Sequence, residues 1–166
     1  MIVVSDTSPL CYLLLIDLIE VLPQLFGRVI IPEKVRDELL SPTAPQVVRK
    51  WISQPPDWLE VQIILDRINP AVNQLDLGEQ EAITLALGLK ADLILLDDLA
   101  ARRIATQLQV NIVGVLGILV SAAEKGLIDV TAAIERLQQT TFRVSPKLIQ
   151  SLLQQHQKEG DMRADS

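Results

Sequence analysis

Residues 2–9 read Ile-Val-Val-Ser-Asp-Thr-Ser-Pro. A short run of strand character ends at Asp6, and a polar turn leads into Pro9, whose missing N–H does no harm in the first turn of a helix. The same grammar returns at residues 92–98, Asp-Leu-Ile-Leu-Leu-Asp-Asp, where an apolar run again ends on acids. Neither run alternates apolar with polar residues, so each reads as a strand covered on both faces. A covered strand that passes straight into a helix is half of a parallel β–α–β unit.

Working outward, the pattern predicts helices over 9–15 and 18–25, a strand over 29–31, and helices over 33–40 and 44–52. Pro55-Pro56 stops the last of these before a strand at 58–63. The stretch 64–77 shows no clear period. A helix over 79–89, a strand over 92–96, a helix to 108 and a strand over 111–113 follow, then helices over 116–125, 130–139 and 146–158. Short apolar strands separated by helical patterns predict an α/β fold of three layers, a central parallel sheet of about five strands covered by helices. One domain is expected over 1–158 and a flexible tail over 159–166. Ligands of such folds bind beyond the carboxyl ends of the strands, where the strand order reverses.

The chain has 166 residues, 49% of them hydrophobic and only 3% aromatic, which describes one aliphatic core rather than a disordered chain. Fifteen Lys and Arg against twenty-one Asp and Glu give a net charge of −6, so the average field repels phosphate. A local basic patch, or a metal ion inside a cleft, would reverse that field locally. With a single Cys11 and a single His156, neither a disulfide framework nor a Cys/His zinc cluster can be built. Any metal would be held mainly by carboxylates and water, which suits Mg2+ or Mn2+. The N-terminus lacks a basic region before its apolar run, and Asp6 and Asp17 interrupt that run. No apolar stretch is long enough to span a bilayer. The expectation is a cytoplasmic protein with no membrane attachment.

The placement of the acids is the informative feature. Asp6 and Asp97 each follow a strand at its carboxyl end. A helix N-cap is the ordinary reading of such an acid, for Asp97 or Asp98 especially. Glu79 falls within the apolar arc of its helix, set by Ala82, Ile83, Ala86 and Leu89. It either sits in the first turn, where the helix N-terminus favours negative charge, or points into a cleft. Glu38 lies at the border of the core direction set by Val35 and Leu39. If Asp6, Glu38, Glu79 and Asp97 converge, they cannot all stay ionised without compensation, and a divalent metal is the natural one. Two ions about 4 Å apart would activate water and stabilise the leaving oxygen of a phosphodiester.

Five segments carry a resemblance to a known family: VVSDTSPL at 3–10, IPEKVRDELL at 31–40, LGEQEAITLAL at 77–87, ILLDDLAARRIA at 94–105 and VGVLGIL at 113–119. In this order they resemble the PIN-like domain family, in particular a bacterial and archaeal branch described as nucleic-acid-binding and of unknown function. The resemblance implies a metal-dependent endoribonuclease that hydrolyses RNA phosphodiester bonds, and a toxin held by an antitoxin protein. The family's acids carry over to Asp6, Glu38, Glu79 and Asp97 as catalytic and metal-binding residues. Asp98 is a close substitute for the last of these. Ser8 would hydrogen-bond a metal-bound water or an acid, and Arg102 would contact phosphate or pair with the acidic cluster. Two departures stand out. Leu95-Leu96-Asp97 occupies the place of a T-x-D pattern, so a hydroxyl is missing, and Glu79 replaces an Asp.

Other features have plainer readings. Arg103 reads either as a solvated surface residue or, beside Arg102, as a functional cation. Lys34 and Arg36 read as solvated surface residues or as positive field beside Glu38. Gly114 and Gly117 permit a tight strand-to-helix turn. Cys11 reads as a packed residue, His156 as exposed, and Trp51 and Trp58 as anchors of the Pro55-Pro56 turn. Leu10, Leu13, Leu14, Ile16 and Leu18 belong to the core, or in part to a homodimer contact. The rival to the nuclease is a PIN-like module that binds nucleic acid or protein with weak or no catalysis. A phosphatase is disfavoured, because its aspartyl nucleophile motif requires a second acid where Ser8 stands.

Overall fold

The computed structural model describes residues 1–143 and 146–164, with the side chains of residues 156 and 159–164 left out. Five strands form one wholly parallel sheet: β1 (Val3–Ser5), β2 (Val29–Pro32), β3 (Leu59–Gln62), β4 (Leu93–Leu95) and β5 (Ile112–Val113). Their order is β3-β2-β1-β4-β5. The chain therefore builds outward from β1 on one side, then returns to build outward on the other. The reversal falls between β1 and β4, with Val4 opposite Ile94 and Ser5 opposite Leu95.

The register explains why the strands are apolar throughout. Val4 is in line with Ile30 on one side and Ile94 on the other, and Ile94 with Ile112. These residues share one face, which packs against Ala82, Ile83 and Ala86 of α5 (Leu77–Gly88) and Ala101 and Ala105 of α6 (Leu99–Gln107). The alternate residues Val3, Ile31 and Leu95 are buried as well. With both faces covered, the sheet is the middle of a three-layer α/β fold, as the unbroken apolar strands predict.

The chain divides into two compact units, residues 1–115 and 116–166. In the first, α1 (Thr7–Leu15), α2 (Val21–Phe26), α3 (Glu33–Leu39) and α4 (Gln46–Ser53) precede α5 and α6. The stretch without a legible period, 64–77, holds a single 3₁₀ turn at Pro70–Val72, capped by the Asn69 side chain. Its Val72 and Leu75 join the buried cluster, which gives this irregular connection an anchor. Trp51 and Trp58 meet across the Pro55-Pro56 turn with ring centroids 5.8 Å apart. Leu10, Leu13, Leu14 and Ile16 are buried in the core, and Leu18 is half-buried.

In the second unit, α7 (Val115–Glu124), which begins at the unit boundary, is followed by α8 (Val130–Gln138) and α9 (Pro146–Ala164). Asp129 caps α8 by accepting from the Ala132 N–H, 3.2 Å. The segment expected as a tail is helical as far as Ala164; residues 165–166 and the His156 side chain lie outside the described ones. Among the described residues no helix is long and apolar enough to cross a membrane.

Candidate functional site

Asp6 leaves β1 at the strand-order reversal, its backbone N–H donating to the Leu95 carbonyl at 3.0 Å. It occupies the N-cap position of α1, yet its side chain makes no capping hydrogen bond. The ordinary reading of this acid therefore does not hold. Asp6 is 4% exposed, and its Oδ1 is buried without a partner. An unpaired buried carboxylate oxygen is expensive, so burial favours the neutral acid. Burial pushes Asp6 up to about 7, the Thr7 N–H opposes this, and the charges of Asp76, Glu38 and Asp97 add to it.

Glu38 comes in from α3. The Thr7 hydroxyl donates to its Oε2, so a residue of the first turn of α1 fixes an acid thirty-one positions away. The carboxylate lies against the backbone of Gly78, the second residue of α5. A Cβ added at Gly78 would stand 2.7 Å from the Glu38 Cδ and collide with both oxygens. Glycine weakens a helix relative to alanine by about 1 kcal/mol, and here it leaves the space the acid fills.

Glu79 is 8% exposed, as its place in the apolar arc predicts. It also completes a capping box. Asp76 Oδ1 accepts from the Glu79 N–H at 2.9 Å, and Glu79 Oε2 accepts from the Asp76 N–H at 3.3 Å. The first-turn reading of this residue is thus realised, with the acid buried as well as capping. Burial pushes Glu79 up to about 8, with Asp76, Asp98 and Asp6 adding. Glu81 faces elsewhere, its Oε2 accepting from the Lys34 N–H at 3.0 Å and tying α5 to the start of α3.

Asp97 follows β4 and reaches across to the next strand–helix turn. Its Oδ1 and Oδ2 accept from the Val115 N–H at 3.1 and 3.3 Å, at the N-terminus of α7. Burial raises its pKa, opposed by the Val115 N–H and by the charge of Arg102. Arg102 itself donates to the Leu96 carbonyl at 3.1 Å and forms no ion pair among the described residues. Gly114 makes this corner possible, since a Cβ there would stand 2.5 Å from Asp97 Oδ1 and 2.7 Å from Arg102 Nη1. Asp98 caps α6 by accepting from the Ala101 N–H, 3.0 Å.

Asp6 therefore feels the charges of Glu38, Asp76 and Asp97, and Glu79 feels those of Asp76, Asp98 and Asp6. None of these acids has an ion pair among the described residues. Nor do any three Asp, Glu, His or Cys residues there form a group that could hold a metal ion. Three contributors escaped the sequence reading: Asp76, Thr7 and Gly78. The Asp76-x-x-Glu79 spacing of a capping box was the available signal for the first. The Thr7 hydroxyl meets a site acid, while the part expected of Ser8, on an acid or a metal-bound water, stays a proposal. Cys11 is half-buried rather than core, and its thiol is pushed up to about 11 by burial and by the charges of Asp6 and Glu38.

No curated protein and no solved structure matches the chain. A family model described as the PIN domain matches residues 2–158, nearly the whole sequence. With the parallel sheet and the acids at its strand-order reversal already in hand, that match decides the family: the chain is a member of the PIN domain family.

Proposed function

We propose that the protein is a metal-dependent endoribonuclease that hydrolyses RNA phosphodiester bonds, and that it acts as the toxin of a toxin–antitoxin pair. The observation that carries this reading is the state of Asp6. Its Oδ1 is buried and unpartnered at the strand-order reversal, with three further acids raising its proton affinity and no protein cation paired to it. An all-oxygen donor set of this charge suits Mg2+ or Mn2+.

Asp6, Glu38, Glu79 and Asp97, with Asp76 beside them, would have to draw together around an incoming ion, since no three of them form a metal-holding group among the described residues. When bound, it supplies Lewis-acid activation of water and neutralises charge on the phosphoryl group. The chain's own contribution is positioning. Thr7 orients the Glu38 carboxylate, Gly78 gives it room, and the Asp76–Glu79 capping box fixes the first turn of α5. Val115 N–H and the Arg102 charge hold Asp97 toward the β5–α7 turn.

A catalytically weak binding module is the second reading. It is favoured by Asp97 and Glu79, whose carboxylates are engaged by local backbone N–H groups, and by the lack of a preassembled metal group among the described residues. Cleavage of labelled RNA separates the two. The nuclease reading expects cleavage with Mg2+ or Mn2+, none in EDTA, and a loss of at least about 100-fold in Asp6→Asn. Saturating metal with no cleavage of single-stranded or structured RNA would favour the module.

A further inference from the structure

Beside Arg102, α6 and the edge strand β5 line a shallow, open groove of about 350 Å3 bordered by Leu99, Arg102, Arg103, Thr106, Gln107 and Ile112. Arg102 is held in place: it donates to the Leu96 carbonyl and lies with Asp97 against Gly114. The Thr106 hydroxyl is also engaged, donating to the Arg102 carbonyl at 2.8 Å. Arg103 is exposed and forms no ion pair among the described residues. Leu99, which lines the groove, is 72% exposed.

We infer that this groove is where the substrate strand lies next to the bond that is cut, with Arg103 holding a flanking phosphate of single-stranded RNA. The inference rests on the nuclease reading for the location of the cut but not for the binding itself. A net charge of −6 and a cluster of acids repel a polyanion, so the strand needs a cation outside the cluster to hold it in register. Arg103 is such a cation, one residue from Arg102, which borders both the groove and Asp97. Leu99 and Ile112 offer apolar surface to sugars and base faces, and the Gln107 amide offers a donor and an acceptor. Cationic and apolar groups side by side match a single strand, whose bases are turned out, better than a duplex.

The test is fluorescence anisotropy of a labelled oligouridylate with the full chain in EDTA, across a salt series. Arg103→Ala should weaken binding several-fold and lower the slope of log Kd against log salt by about 0.7, one single-strand phosphate contact. Arg103→Lys should keep the slope, and Arg103→Glu should weaken binding further. Circular dichroism and Tm should be unchanged, since the side chain is exposed. Wild-type affinity and slope in Arg103→Ala and Arg103→Glu would overturn the inference, as would an absence of binding by the wild type. Metal-dependent cleavage lost in Asp6→Asn but unaffected in Arg103→Glu would sink this groove and leave the nuclease standing. Binding that depends on Arg103 without cleavage by the wild type would do the reverse.

Discussion

At Asp6 the fold and the site make opposite demands. Burial favours the neutral acid, whereas a cation would need the carboxylate. Its pKa is raised from the ordinary 3.8 to about 7 and that of Glu79 from 4.5 to about 8. The folded state therefore binds protons that the unfolded chain has released. Stability contributed by these groups is fully present below their unfolded values and is lost as pH rises through 7 and 8. For Asp6 a change of that size is worth about 4 kcal/mol. Without metal, Tm should fall between pH 5 and pH 8, and Asp6→Asn should be more stable than the wild type, by more at pH 8 than at pH 5. Mn2+ or Mg2+ should raise the wild-type Tm, most at pH 8 where protons no longer compete, and do so far less in Asp6→Asn. Differential scanning fluorimetry at the two pH values checks both, and a pH-independent Tm would refute the argument.

Two features of α5 tie helix chemistry to the site. Alanine at Gly78 should favour the helix by about 1 kcal/mol, and the atoms it displaces are the far end of the flexible Glu38 side chain. Gly78→Ala should accordingly keep or raise Tm while lowering kcat by about 100-fold, because the Glu38 carboxylate is driven from its position. A variant with wild-type kcat would remove Glu38 from the machinery. At the N-cap, Asp76→Ala loses a capping interaction worth about 1 kcal/mol but relieves the repulsion on Asp6 and Glu79. Urea denaturation should show the destabilisation at pH 5, where both neighbours are protonated, and a smaller one at pH 8. Helical periodicity also accounts for which of these acids were legible in the sequence. The spacing of apolar residues made α5 and its buried Glu79 legible, but 64–77 has no period because a 3₁₀ turn and loop fill it. Asp76 lies at the end of that stretch and was lost with it.

Across the whole molecule, acids outnumber bases, and the acids near Asp6 are not paired within the described residues. Raising monovalent salt from about 0.01 M to about 0.15 M shortens the screening length from about 30 to about 8 Å. The metal-free protein should gain Tm over that range at pH 8, and the Mg2+-loaded protein should gain less, since the ion has already compensated the charge. Scanning calorimetry with and without Mg2+ checks this; equal gains would place the repulsion elsewhere on the surface.

The sequence by itself determined the layer architecture. Strand runs apolar on both faces have no stable place except inside a covered parallel sheet, and the acids at their ends mark its carboxyl edge. It could also place Glu79 inside, because helical periodicity is a local property. Only the tertiary structure decided what each acid touches. Thr7 reaches Glu38 from another helix, Gly78 clears its space, and Asp97 spends its oxygens on Val115. Those contacts join segments far apart in the chain, and the strand order β3-β2-β1-β4-β5 alone brings them to one edge.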